Sequence, residues 1–398
     1  MDFSKSYDIV VVGAGIAGVA AAVQAAREGK SVALIEKTIL PGGLATTGLV
    51  YVYLPLCDGN GRQVSFGITE ELLKLSMQYG PGNVPEKWRE NVNAPERDRY
   101  ECIFSPAAYI LALEEYLSKN NVDVWYDTLV CNATVNDDRI TSVIVENESG
   151  RGEISAKCFV DASGTAILAR RANIPCHTAT NFLAWWEIMY DERVEHSHLG
   201  KNVRLNMGGI PWDESKAPEG TLFRGISGKS VTQFVTRGRQ RMLDQYKNQY
   251  SDTVTRENFY SLKVPAMPQF RKIYSIDARY VLRDNENNKH FADSVGLVSD
   301  WRKSGPVWEV PYDSLIPQSG PKGYIAAGRC TGADGDAWEV TRVIPVAGLT
   351  GQVAGLAAAM AVDAGITPSE LDAKDVQAKL RTLGFPLHLP EIGLEYDK

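Results

Sequence analysis

Apolar residues run unbroken from Ile9 to Val12. They give way to Gly13-Ala-Gly-Ile-Ala-Gly18 and then to small apolar residues up to Ala26. A short continuous apolar run predicts a buried strand, and an alanine-rich stretch after a glycine turn predicts a helix. Val32-Ala-Leu-Ile35 reads as a second buried strand, closed by Glu36-Lys37. The order is strand, helix, strand. Ile68 to Tyr79 predicts a helix with Thr69 as its cap and acids in its first turn. Ser105-Pro106 predicts another helix start, the helix running to about Lys119. Residues 122–160 alternate apolar and polar, with turns at Asn136-Asp-Asp and Glu148-Ser-Gly150, which predicts an antiparallel meander. The meander ends in Cys158-Phe-Val-Asp161-Ala-Ser-Gly164, a strand entering a small-residue turn. Tyr324 to Arg329 is again strand then glycine; Pro345 opens an alanine-rich helix to about Ala364, and Ser369 to Leu383 reads as a closing helix.

Residues from about 175 to 320 break this rhythm. They hold Trp185, Trp186, Trp212, Trp301 and Trp308 and few alanines. This predicts an inserted α+β domain over 176–320, set into an α/β domain made of 1–175 and 321–398. The aromatics either line a pocket or fill a core; the pattern leaves both open.

The first glycine turn carries chemistry. Gly13 permits the tight turn, Gly15 has no side chain to obstruct a pyrophosphate, and Gly18 lets helix and strand pack closely. The helix N-terminus offers free N–H groups and a positive dipole end. Glu36, 18 positions beyond Gly18, stands where an acid binds ribose hydroxyls. A dinucleotide is the expected ligand. Further glycine turns at 42–48, 161–164 and 328–335, together with the meander, favour an extended FAD over NAD.

Composition narrows the partners. The chain has 398 residues, 44% hydrophobic and 23% charged, with a net charge of -7. No basic block stands out, so nucleic acid is not an expected partner. The stretch from Ile9 to Ala26 carries turn glycines and Gln24, so it fits neither a signal peptide nor a membrane span. No other stretch reads as long enough to cross a bilayer, so a cytoplasmic location without membrane is expected. The six cysteines show no zinc or iron–sulfur spacing, and His196-x-His198 lacks a third ligand, so no metal is expected.

Several segments together resemble a known family. They are Gly13–Gly18, Glu36-Lys37, Gly42-Gly-Leu-Ala-Thr-Thr-Gly48, Phe159–Gly164, Val310–Pro317, Ala327–Cys330 and Arg342-Val-Ile-Pro345 with Gly351–Gly355. The chain resembles the FAD-dependent oxidoreductases with a glutathione-reductase-type, Rossmann-like FAD domain, over roughly residues 6–385. More narrowly, it looks like a bacterial branch distantly related to fumarate reductases and thiazole-biosynthesis proteins. The resemblance implies that Gly13, Ala14, Gly15, Ala17 and Gly18 hold the pyrophosphate and Glu36, beside Lys37, the adenosine ribose. Gly43, Leu44, Ala45 and Thr46 would follow the ribityl chain and flavin. Leu129 or Val130 would meet adenine through the backbone, with Ala162 to Gly164 near that end. Gly328 and Arg329 occupy the place where relatives put an acid, so Arg329 suits a phosphate and Asp336 is a candidate for the missing acid. Val343 and Ile344 would face flavin N1 and O2.

The departures shape the expected chemistry. Thr46 and Thr47 stand where a redox cysteine pair would be, so disulfide reduction is not expected. No second glycine fingerprint marks a nicotinamide domain, so an unidentified electron donor or acceptor must serve. The expected reaction is hydride transfer between a small organic substrate and flavin N5. Arg271 and Arg342 are the candidate catalytic residues, because a fixed guanidinium binds carboxylates and stabilises developing negative charge. Asp300, Tyr312 and Tyr274 are secondary acid/base candidates. A non-redox dinucleotide-binding protein resembling thiazole synthases, in which Cys330 matters, and a flavin monooxygenase are the alternatives. A homo-oligomer is left open.

Overall fold

The computed structural model describes residues 3, 5–82, 101–209 and 220–397; Trp212 lies outside them. The first apolar run forms β1 (Ser6–Val12), and the small-residue stretch forms α1 (Ile16–Arg27), buried from Ile16 to Ala25. β2 (Val32–Ile35) lies parallel to β1, with Ile9 opposite Val32.

α2 spans Ile68–Ser76 and is shorter than expected. Its cap position is Gly67 rather than Thr69. Thr69 is buried inside the first turn, where its hydroxyl donates to the Pro345 carbonyl. α3 (Pro106–Lys119) starts where Ser105-Pro106 placed it, with Ser105 Oγ accepting from the Ala108 amide.

The expected meander needs one correction. β3 (Asp123–Trp125) lies parallel to β2 and belongs to the central sheet. A helical crossover such as α3 returns the chain for parallel pairing, whereas antiparallel neighbours need only a tight turn. The meander proper is β4 (Leu129–Asn136), β5 (Arg139–Asn147) and β6 (Gly150–Asp161). β6 pairs antiparallel with β5 over its first half and parallel with β1 from Ser155 to Asp161. Its end turns into the short α4 (Ile167–Arg171).

The segment after residue 175 contains β7 (Ala184–Asp191), flanked by β8 (Val203–Gly209) and later by β9 (Phe259–Lys263) in an antiparallel sheet. Between them runs α5 (Gly228–Gln249), which buries only Phe234, Gly238 and Met242. So narrow a stripe carries little periodic signal. Trp185 and Trp308 are core residues, while Trp186 is half-buried. A hairpin of β10 (Ser294–Ser299) and β11 (Val307–Pro311) follows.

The chain then re-enters the central sheet as β12 (Tyr324–Ala326), parallel to the end of β6. α6 (Gly335–Thr341) and α7 (Ile344–Ala364) come next. α7 crosses α1 closely: a Cβ on Gly351 or Gly355 would stand 2.2 Å from the carbonyl oxygens of Ala17 and Ala21. α7 is long and apolar enough to cross a membrane by length and composition, which corrects the expectation that no such stretch exists; 89% of its apolar window is buried in this core. The closing helix α8 spans Ala373–Thr382, with Asp372 as its cap. Ser369 lies instead in a separate turn, Pro368–Glu370, closed by a Thr367–Glu370 capping box.

Candidate cofactor and substrate site

The ends of β1, β2 and β6 and the start of α7 open onto a cavity of about 400 Å³. That is within the usual range for small-molecule sites. Its floor is the first glycine turn. Gly13 has φ +96°, in the left-handed region, and a side chain there would collide with the 162–163 backbone, 2.8 Å from Ser163 Cα. A Cβ on Gly18 would stand 1.8 Å from the Gly13 carbonyl oxygen. A Cβ on Gly15 meets nothing nearer than 4.0 Å within the protein, and Gly15 lines the cavity. Its missing side chain therefore leaves room for a ligand rather than for the fold.

Glu36 closes one end. It is 8% exposed; its Oε2 accepts the Ala14 amide at 2.9 Å and its Oε1 the Thr38 amide and hydroxyl. Oε2, with one donor, keeps lone-pair capacity for a ligand. Beside it lie Lys37, Thr128, Leu129 and Val130. Gly43, Leu44 and Ala45 form a wall, and Ala162, Gly164, Gly328, Arg329, Val343 and Ile344 also line the cavity. Of the residues expected at the ligand, Ala14, Gly18 and Thr46 stand behind the lining: Ala14 holds Glu36, Gly18 packs on Gly13, and the Thr46 hydroxyl donates to the Pro41 carbonyl at 2.5 Å.

Asp161, fully buried at the end of β6, shapes the opposite turn. It accepts from the Ser163 amide and hydroxyl and from the Ala169 amide. Burial pushes its carboxyl above the usual range.

The other wall is cationic. Arg271, Arg329 and Arg342 all reach the cavity. The Arg271 guanidinium lies over the Trp186 ring at 5.1 Å, and Arg329 donates to the Phe270 carbonyl at 2.6 Å. Among the described residues neither forms an ion pair with a carboxylate. Burial, then the like charges of Arg342 and Arg329, push Arg271 down to about 9. Burial, with Arg342 adding to it, pushes Arg329 down to about 10. Both stay charged at neutral pH, and the depression reflects first the cost of burying each guanidinium and then the neighbouring cations. Arg342 Nε donates to Glu339 at 2.7 Å, and Lys272 pairs with the same carboxylate at 2.7 Å. Burial raises the Glu339 carboxyl, but the Arg342 and Lys272 charges outweigh it and hold it below the usual range.

Gln269 anchors this wall. It accepts the Trp186 amide at 2.8 Å and donates to the Gly48 carbonyl at 2.5 Å. The segment after residue 175 is thereby tied to the second glycine loop. Arg170 was not singled out from the sequence. It lines the cavity with its guanidinium 4.3 Å from the Tyr274 ring, and its buried Nε has no hydrogen-bond partner among the described residues. Nothing in the local sequence marks it, because its meeting with Tyr274 is tertiary.

The secondary candidates fare differently. Tyr274 lines the cavity. Asp300 pairs with Arg302 at 2.7 Å, Asp336 pairs with the same arginine, and the buried Tyr312 hydroxyl donates to the Pro368 carbonyl. None of these three lines the cavity. Burial pushes the Cys330 thiol well up, and its sulfur accepts the Ala166 amide at 3.3 Å. Such a thiol is inert rather than nucleophilic.

An extended dinucleotide fits these residues. There is open space over Gly15, an acid at one end, and at the other the uncapped N-terminus of α7 with cations beside it. Comparison with known proteins agrees. A model of the family described as FAD dependent oxidoreductase matches residues 8–182 and 180–380. A thioredoxin reductase of Ureaplasma parvum is 39% identical over 71 residues, covering 18% of this chain and 23% of that protein. One from Bacillus subtilis is 34% identical over 86 residues, covering 22% and 27%. The chain thus matches about a quarter of the length of these curated relatives. A geranylgeranyl bacteriochlorophyll reductase-like protein of Thermoplasma acidophilum superposes with TM-score 0.47 at 14% identity, covering 95% of this chain and 83% of that one. The family match spans nearly the whole chain: it belongs to the FAD dependent oxidoreductase family and is an enzyme whose cofactor is FAD.

Proposed function

We propose that the enzyme moves a hydride between a small organic substrate and FAD. The site is the cavity between an FAD-binding domain (residues 1–175 and 321–398) and a substrate domain (176–320). The observation that carries this reading is that Arg271, Arg329 and Arg342 converge on a cavity that glycine backbone also lines, Arg329 lying against Gly164. FAD, when bound, supplies the two-electron redox chemistry.

The chain supplies the rest. Gly13, Gly15 and Ala17, at the start of α1, hold the pyrophosphate, and Glu36 accepts from the adenosine ribose. Backbone groups of Leu129 and Val130 meet the adenine. Val343 and Ile344, at the N-terminus of α7, would offer its positive end to the flavin ring and would favour a negatively charged reduced form. Arg342 adds a full charge there. Arg271, flat on Trp186, binds the anionic part of the substrate. An electron donor or acceptor outside the chain completes the cycle.

The test begins with the visible spectrum of the purified protein, before and after acid precipitation. A flavin spectrum with the colour released on precipitation is expected. Anaerobic addition of small anionic and neutral organic compounds should then find one that bleaches it. A colourless protein that takes up no FAD would overturn the reading. Substrate-dependent oxygen uptake with oxygen entering the product would replace it with a monooxygenase.

A further inference from the structure

Glu309, on β11, is fully buried. Among the described residues its possible cationic partners are two histidines, His290 and His388. The nearby Lys289 pairs with Glu286 at 2.9 Å. Asp293, close by, is a second acid, held above the usual carboxylate range by burial and by the charges of Asp313 and Glu309. A buried carboxylate is costly unless hydrogen bonds or a cation satisfy it.

The geometry is not that of good hydrogen bonds. His388 Nδ1 stands 3.3 Å from both carboxylate oxygens, and His290 Nδ1 3.8 Å from one of them. One ligand atom from each residue can be chosen so that all three lie within 4.8 Å of one another. Ligands bound at 2.0–2.2 Å around a tetrahedral ion are about 3.3–3.6 Å apart, which the 3.3 Å His388–Glu309 separation matches, and a small shift of the half-exposed His290 ring would bring it in. The remaining contacts suit the shell around a ligating carboxylate. The amides of Phe291 (2.8 Å) and Leu389 (3.3 Å) and the Tyr396 hydroxyl (2.7 Å) all donate to Glu309. Tyr396 also lies 3.1 Å from His290 Nδ1.

We propose that His290, Glu309 and His388 bind one divalent cation of the zinc class, with solvent as the fourth ligand. The half-exposed His290 side chain leaves that position open to water. None of the three residues lines the redox cavity, so the ion stands apart from the flavin chemistry. It clips the C-terminal segment, through His388 and its neighbour Tyr396, onto the β10–β11 hairpin. Leu389 packs there with Val64, Leu297 and Val307. The sequence hides the set because its members are 19 and 79 positions apart.

The test uses the full-length, tag-free protein, stripped with a chelator and titrated with zinc by calorimetry and with cobalt by visible absorption. One ion per chain is expected, with tetrahedral cobalt bands and a higher melting temperature. H290A and H388A should each weaken binding at least tenfold, and E309Q should abolish it. A variant of the exposed pair His196 and His198 should bind normally. H290A, altered at an exposed position, should fold and keep its flavin. The site is refuted by no stoichiometric uptake, or by uptake undiminished in H290A and H388A. It is equally refuted by a melting temperature that follows pH between 5 and 8 and ignores zinc, since protonated histidines would then supply the countercharge.

Discussion

The two walls of the cavity are built differently. One is main chain: the turns at Gly13–Gly18, Gly42–Ala45 and Ala162–Gly164, which follow mutually parallel strands of the mixed central sheet. The other is side chain: Arg271 on Trp186, Arg342 on Glu339 and Arg170 on Tyr274, drawn from distant segments. Backbone recognition suits a constant ligand, whereas side chains can be exchanged without rebuilding the sheet. On the proposed function, the backbone wall would serve the cofactor and the cationic wall would set the substrate.

Substitutions at two glycines of the same turn give the largest expected contrast. Gly18→Ala puts a Cβ 1.8 Å from a carbonyl oxygen. It should cost about 3 kcal/mol or more of stability, the upper range for overpacking, read by urea denaturation. Gly15→Ala places its Cβ in open space, on a backbone of φ -66° that alanine adopts freely. It should fold with normal stability and lose bound FAD. A Gly15→Ala protein retaining full flavin would break the assignment of that wall.

Next come the arginines. Arg342→Ala should lower turnover about 100-fold, the scale for loss of one electrostatic stabiliser, with flavin retained. Arg271→Ala should act mainly on KM for an anionic substrate, and Arg271→Lys should not rescue it, because an ammonium lacks the planar face that lies on Trp186. Equal effects of Arg271→Ala on charged and neutral substrates would remove it from substrate binding.

The smallest effect is on pH stability. Glu339 has a depressed folded-state pKa, so its contribution is present above the ordinary glutamate value near 4.3 and is lost as pH falls through the folded value. Glu339→Gln should flatten the acid limb of the stability profile below about pH 4.5. An unchanged acid limb would show that the Arg342 and Lys272 pairings add nothing to stability.

The cofactor half was largely legible. Gly13, Gly15, Gly18 and Glu36 each answer to a backbone or spacing demand within one βαβ unit. The Ser105-Pro106 start, the turns after Asn136 and Glu148 and the helix opening near Pro345 were readable for the same local reason. β3 was misplaced because pairing partners are tertiary. Asp300, Asp336 and Tyr312 looked available for chemistry in the sequence, yet in the fold Arg302 takes the two acids and the Pro368 carbonyl the phenol.

By itself the sequence determined the dinucleotide fingerprint, the first strand–helix–strand unit and the family, because those depend on contacts between near neighbours and on glycines that only a tight turn or close packing requires. Only the tertiary structure decided which charges face the cavity, that Gln269 ties Trp186 to the second glycine loop, and that two histidines meet a buried glutamate. Those contacts join residues dozens to hundreds of positions apart, and no local pattern records which distant side chain will satisfy a buried charge.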